Sequence, residues 1–345
     1  MLRRGFLLGV VMMLLVSATM QTSVRGQTDW ATPRTPWGAP DLQGLWNYNT
    51  LTPLERPSEL EGRASLTDEE VEQALQTAAR RAVDDPQLPD YNAFWSESNA
   101  ITHIAADKPT ALIVDPPDGR LPPLTPAAQA REAAWRATWR RPIRVPFLIE
   151  FLFGPNPARG PEDFGLSERC LVSYSAGPPI MPGANNSYLQ IFQTPGQAAL
   201  FTEMIHDARI VPLDGRSHLP PSIPQWHGDA RGRWEGDSLI VESTNFSWKR
   251  FSFNIGMINA VGSGETLHLT ERFTRLGPDT LRYEYTVDDP VTFTRPFTAV
   301  HAMQAVDGPI FEYACHEGNY GLVNSLTGAR AQERDAERTA SGAAR

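Results

Sequence analysis

The stretch WHGDARGRWEGDSLIVESTNF, residues 226–246, decides the fold. It contains the pairs Gly228-Asp229 and Gly236-Asp237. Such pairs favour tight turns, because glycine tolerates a positive φ and aspartate bonds to its own backbone. A short run before the second pair and a longer apolar run after it predict a β-hairpin that turns at residues 235–237. We expect this hairpin to set the register of a mostly antiparallel barrel or sandwich.

The chain from about residue 146 onward has the pattern of short strands separated by turns. Turn residues such as Pro195-Gly196 and Asp289-Pro290 divide it. Further candidate strands are 188–194, 197–211, 239–246, 266–275, 280–289, 292–303 and 310–315. This spacing predicts a mainly β fold, an antiparallel barrel or sandwich over residues 146–328.

Residues 27–145 differ in composition, because they are rich in proline and tryptophan. Proline interrupts helix interiors and central strands, so we expect this segment to wrap over a larger core. Two short helices are predicted within it. Thr67 and Glu70 form a capping box for the first helix, and Thr125 precedes a proline that begins the second. The small and charged segment 329–345 is expected to be a flexible tail.

Residues 1–26 have the pattern of a signal peptide. A basic start is followed by an apolar run over 6–20 and by small or polar residues up to Gly26. The pair Arg3-Arg4 also fits twin-arginine export, and ordinary Sec export is the equally open alternative. We therefore expect a periplasmic or secreted protein.

The charge of the chain argues against two classes of partner. Removal of the signal peptide takes away three arginines and no acid, so the formal charge changes from −9 to −12. A protein this acidic is a poor partner for nucleic acid or an anionic membrane. No other apolar run approaches the length of a membrane span, so no membrane insertion is expected after removal of the peptide. The oligomeric state stays open.

The two cysteines, Cys170 and Cys315, form an even pair in a chain with an export signal. Such a pair favours a disulfide in an oxidising compartment. The alternative is a reactive or metal-binding thiol.

Three residues, His206, Glu271 and His316, are the candidates for catalysis. Period-2 alternation directs His206 inward with Met204, and Glu271 inward with two apolar neighbours. A carboxylate in an apolar interior beside a histidine can serve in general acid–base chemistry. Alternatively, Glu271 is bonded to an arginine or tyrosine and the histidines are scaffold.

The aromatic residues predicted to bind a small apolar or aromatic molecule are Trp226, Trp234, Phe273, Tyr283 and Tyr285. The histidines lack the short spacings of metal sites, so no metal and no cofactor is predicted. The sequence contains no Gly-x-Ser-x-Gly elbow, P-loop or Gly-x-Gly-x-x-Gly loop, which argues against a serine α/β-hydrolase or a nucleotide-dependent enzyme.

Several stretches resemble a family of uncharacterised exported bacterial proteins that are mostly described as hypothetical. The matching stretches are LIVDPPDGRLPP (112–123), EMIHDARIVPLD (203–214), LHLTERFTR (267–275), YACHEGN (313–319), 225–246 and 283–294. The Gly-x-Trp stretch 232–234 is also similar to lipocalin-type barrels, which implies a lipocalin-like meander.

These observations predict an exported, cofactor-independent enzyme. It would be a lyase, isomerase or hydrolase that uses His and Glu acid–base groups on a small, largely apolar molecule inside a β-barrel. The alternative is a lipocalin-like protein that binds a hydrophobic small molecule without catalysis.

Overall fold

Ten antiparallel strands form one sheet in the computed structural model, which describes residues 30–84, 103–138, 160–248 and 264–343 except 165, 168, 174, 184 and 185. The strands are Gly44–Asn47 (β1), Ile113–Asp115 (β2), Tyr188–Thr194 (β3), Gln197–Thr202 (β4), Ala208–Pro212 (β5), Asp229–Glu235 (β6), Ser238–Thr244 (β7), His268–Arg275 (β8), Thr280–Asp288 (β9) and Phe297–Ala305 (β10). The described residues from 32 onward form one compact unit. The predicted signal peptide, 1–26, lies outside the described residues.

The sheet curls into a nearly closed barrel. Its strand order is β5-β4-β3-β1-β10-β9-β8-β7-β6, with β2 paired to β10. The two end strands, β5 and β6, approach each other closely at Gly232. A Cβ atom placed on this glycine would lie 2.6 Å from side-chain atoms of Val211 and Leu213. Because real Cβ contacts are longer, the absence of a side chain at residue 232 allows the barrel to close.

The predicted hairpin is confirmed. Glu235 pairs with Ser238 at its tip, and Gly236 adopts a φ of 59° in the two-residue turn. Strands β6 to β10 then follow one another as neighbours in the sheet, so this half of the barrel is a meander. The predicted mainly β class and the barrel are both confirmed.

The N-terminal segment does more than wrap over the barrel. Strand β1 lies between β3 and β10 in the middle of the sheet. The side chains of Trp46 and Tyr48 are buried in the core. Part of the predicted N-terminal segment is therefore a structural strand of the barrel.

Two strand predictions are wrong. The run 197–211 is divided into β4 and β5 by a 3-10 turn at Met204–His206. Residues 310–315 are described and form no strand. The remaining predicted strands occur, with ends that differ by a few residues.

Three α-helices are present among the described residues: α1 (Asp68–Asp84), α2 (Pro126–Thr138) and α3 (Tyr320–Ala343). The capping box at α1 is confirmed, because Glu70 N donates to Thr67 Oγ1 and Thr67 N donates to Glu70 Oε2. Residues 329–343, expected to belong to a flexible tail, are helical in α3. None of these helices is both long enough and apolar enough to cross a bilayer.

Candidate functional site

Glu271 lies inside the barrel, as its apolar neighbours predicted. Its side chain on β8 is 0% exposed. Arg209 on β5 donates to both of its carboxylate oxygens, at 2.6 and 2.9 Å. Tyr283 on β9 donates a further bond of 2.6 Å from its hydroxyl. The contacts of Glu271 are therefore an arginine and a tyrosine rather than His206 or His316.

This arrangement fits a scaffold role better than a catalytic one. A bidentate arginine pair is the strongest common charge-assisted contact, and the Tyr283 hydroxyl occupies a further acceptor position of Glu271. The pair also links β5 to β8 across the barrel, near the seam where β5 and β6 meet. Burial and the charge of Glu271 hold the pKa of Tyr283 well above its ordinary value, so its hydroxyl keeps the proton that it donates.

The interior is filled by side chains from outside the strands as well. Ile180, from the loop before β3, is buried among the barrel residues and its N–H donates to the Tyr283 hydroxyl at 3.0 Å. Phe273 and Tyr283 pack with ring centroids 4.8 Å apart, and Tyr283 and Tyr285 are 5.5 Å apart. These three predicted binding residues are core residues that contact one another, and ligand binding by them stays a prediction.

His301 on β10 is a further titratable group of the interior. It is nearly fully buried, and its ring stands edge-on to Tyr283 at 5.2 Å. Burial lowers the pKa of His301 to about 4, and the backbone of Ile180 and Tyr48 partly opposes this shift. Neither ring nitrogen makes a hydrogen bond of normal geometry with the described residues. The imidazole is therefore neutral at physiological pH.

The backbone between β4 and β5 is strained. Ile205 and His206 have φ values of 65° and 49°, which place two consecutive non-glycine residues in the left-handed region. This region is especially unfavourable for a β-branched residue such as Ile205. Strain of this kind persists only where the surroundings enforce it, and it clusters at functional sites. We call residues 203–207, together with His227 and residues 311–316, the strained-turn site.

A buried carboxylate lies at the start of this turn. Glu203 is 3% exposed. It accepts a 2.7 Å bond from the Asn186 side chain and a 3.1 Å bond from the Phe311 N–H. Met204 and Ile205 pack in a small cluster that also contains Cys315. The turn is thus stabilised by the packing of Met204 and Ile205 and by the hydrogen bonds of Glu203.

The predicted disulfide between Cys170 and Cys315 is confirmed, with the two Cα atoms 5.8 Å apart. It joins the loop that leads into the barrel interior to the segment that lies on the strained turn. A disulfide is compatible with an extracellular or periplasmic protein.

His206 does not point into the barrel, and that prediction is wrong. The turn interrupts the strand, so the alternation assumed for 202–209 fails there, and the His206 side chain is exposed. Its Nδ1 lies 2.7 Å from the Tyr313 carbonyl oxygen. Because a carbonyl only accepts, Nδ1 carries a proton, and in the neutral imidazole Nε2 therefore has the lone pair. No other described residue bonds to this ring.

A second histidine lies beside the turn. His227 Nε2 is 3.1 Å from Asp207 Oδ2, without the alignment of a hydrogen bond. The two side chains are 20% and 36% exposed, whereas the His227 Nε2 atom itself is buried. His316 follows Cys315 on the segment that contacts His206, and it is exposed. Trp226, next to His227, is half-buried.

The predicted triad therefore divides between two places. His206 and His316 belong to contacting segments at the strained-turn site, whereas Glu271 is enclosed in the barrel. Trp234, at the end of β6, is partly buried against the core rather than fully buried. Sequence reasoning missed the Asp207–His227 pair, although EMIHDARIVPLD and the WHGD stretch were both singled out.

Within the described residues, no group of three or more His, Cys, Asp or Glu side chains is placed to hold a metal ion. Comparisons with protein-family models, curated proteins and solved structures find no significant match to this chain. The resemblance to the exported bacterial family stays a prediction.

Proposed function

We propose that this protein is an exported enzyme that performs acid–base chemistry on a small, largely apolar molecule at the strained-turn site. The reaction class is a lyase, isomerase or hydrolase reaction without a cofactor. The observation that carries the proposal is His206, an exposed histidine held on strained backbone with its Nδ1 bonded to the Tyr313 carbonyl.

His206 would be the general base. An imidazole whose Nδ1–H is fixed presents an unprotonated Nε2 that can take a proton from water or from an acidic C–H. The Asp207–His227 pair supplies a second polar group beside the turn, with His227 Nε2 3.1 Å from Asp207 Oδ2, and histidine is a residue that can return a proton. Phe311, 67% exposed, adds apolar surface beside these groups.

Export is part of the proposal. The signal peptide predicted for residues 1–26, of the Sec or twin-arginine type, would send the protein to the periplasm or outside the cell. The Cys170–Cys315 bond supports this location, because disulfides persist in oxidising compartments.

A second candidate function is the binding of a hydrophobic molecule without catalysis. It is favoured by a cleft of about 440 Å³ beside α1. Its apolar lining residues are Leu51, Leu60, Leu66, Ala74 and Ala78. The rest of the lining is polar, from Glu59, Glu70, Gln73 and Thr77. The volume lies in the range of small-molecule sites.

The test uses the mature protein with p-nitrophenyl esters of increasing acyl length and with an extract of small apolar metabolites followed by mass spectrometry. We expect product formation that disappears in His206→Asn, because asparagine tolerates a positive φ but has no base. His268→Asn is the matched control, because His268 is an exposed histidine on β8. Equal product formation by the parent and His206→Asn, or none by the parent, would contradict the proposal.

A further inference from the structure

The carbonyl oxygen of Tyr313 accepts two hydrogen bonds. One comes from His206 Nδ1 at 2.7 Å and the other from the Cys315 N–H at 3.0 Å. A carbonyl oxygen has two lone pairs, so this acceptor is fully used. The residue that donates the second bond is also the residue that is cross-linked to Cys170. The oxygen that fixes the His206 tautomer is thus positioned by a disulfide-bonded neighbour.

Two attachments flank Tyr313. Two residues before it, the Phe311 N–H donates to the buried Glu203 carboxylate at 3.1 Å. Two residues after it, Cys315 is bonded to Cys170, which is itself buried. The first attachment is a hydrogen bond that persists while the protein is folded. The second is a covalent bond that a thiol can open and an oxidant can restore.

We propose that the Cys170–Cys315 disulfide is a redox control of the strained-turn site, an inference that rests on the proposed function of His206. With the disulfide formed, the Tyr313 carbonyl holds Nδ1–H and leaves Nε2 as the base. With it reduced, the Cys315 end of the segment is released and the imidazole exchanges between its two tautomers. Cys170 and Cys315 are then positioning residues that act through Tyr313.

The reductant is a dithiol. One of its thiolates attacks a sulfur of the disulfide, which breaks the Cys170–Cys315 bond and forms a mixed disulfide. The second thiol of the reductant then displaces the remaining protein sulfur. Two electrons pass from the dithiol to the protein, the reductant leaves as a disulfide, and its two protons go to the protein thiols.

The turn itself has supports that reduction leaves in place. Glu203 keeps its bonds to Asn186 and Phe311, and Met204 stays packed with Ile205. Reduction is therefore expected to change the state of the His206 ring while the barrel remains folded.

The experiment measures the ¹⁵N chemical shifts of the histidine ring nitrogens in the oxidised mature protein, in the same protein with dithiothreitol, and in Cys170→Ser/Cys315→Ser. We expect the Nδ1–H form of His206 alone in the oxidised protein, and averaged tautomer signals in the other two samples. The His268 ring is the internal control and should not change. Turnover should fall several-fold on reduction, return on reoxidation, and be insensitive to dithiothreitol in the double variant.

Two results would overturn the proposal. The first is an unchanged Nδ1–H signal in the reduced, folded protein. The second is global unfolding on reduction, which would mean that the disulfide stabilises the whole fold rather than controlling the site. If the double variant fails to fold, the reduced parent protein decides. A parent protein without turnover would contradict the proposed function, whereas the tautomer measurement would still decide this inference.

Discussion

The barrel interior and the strained-turn site differ in how their ionisable side chains are bonded and in the backbone that carries them. Inside the barrel, Glu271 accepts three hydrogen bonds from Arg209 and Tyr283, on strands of ordinary conformation. At the turn, His206 lies on left-handed backbone, its side chain is exposed, and its only hydrogen bond to the described residues is through Nδ1. A satisfied network stabilises a fold, whereas a strained position with an available base is where chemistry is expected.

The largest expected effect breaks the interior pair. Glu271→Gln leaves the Arg209 guanidinium buried without a counter-charge, so we expect the free energy of unfolding to fall by about 3–5 kcal/mol. Urea denaturation measures this loss. The matched control, Arg209→Met/Glu271→Leu, removes both charges and should recover much of the stability. A single variant as stable as the parent would show that the pair does not support the barrel.

The next effect depends on pH. Burial holds the pKa of His301 at about 4, below the ordinary value of 6.5. As the pH falls from 6.5 towards 4, His301 binds a proton in the unfolded chain but not in the folded protein. Stability present above pH 6.5 is therefore lost over this window, by about 3 kcal/mol at most.

The measurement compares denaturation of the parent with His301→Phe between pH 7 and 4. The phenylalanine variant should lose about 3 kcal/mol less stability across this range, because it has nothing to protonate there. Carboxylates contribute equally to both proteins and cancel in the difference. Parallel stability curves would contradict the assignment of a buried neutral imidazole.

A smaller effect is expected at the hairpin. Trp234→Ala should cost about 1–2 kcal/mol, less than the 3–5 kcal/mol of a fully buried aromatic, because Trp234 is only partly buried at the end of β6. Thermal unfolding checks this value. An unchanged melting temperature would mean that the hairpin packs loosely on the core.

The hairpin and the inward Glu271 were predictable because their signals are local. Gly236-Asp237 specifies the turn, and Leu269 and Phe273 mark the inner face of β8. The strained turn was not predictable, because no sequence pattern indicates a β-branched residue at positive φ. The period-2 alternation of a continuous strand was assumed through the turn, and it placed His206 on the inner face of the barrel, whereas its side chain is exposed. Strand β1 was harder to predict than the hairpin because four residues give no clear period, and its place between β3 and β10 depends on distant strands.

The most direct test of the central claim, that chemistry lies at the turn and not in the barrel, measures stability and turnover per folded molecule for His206→Asn and Glu271→Gln together. We predict that His206→Asn changes stability by less than about 0.5 kcal/mol and lowers turnover by about 10²–10⁴-fold. Glu271→Gln should lose stability and keep turnover in the molecules that remain folded. Full turnover in His206→Asn, with turnover abolished in folded Glu271→Gln, would return the active site to the barrel interior and contradict this account.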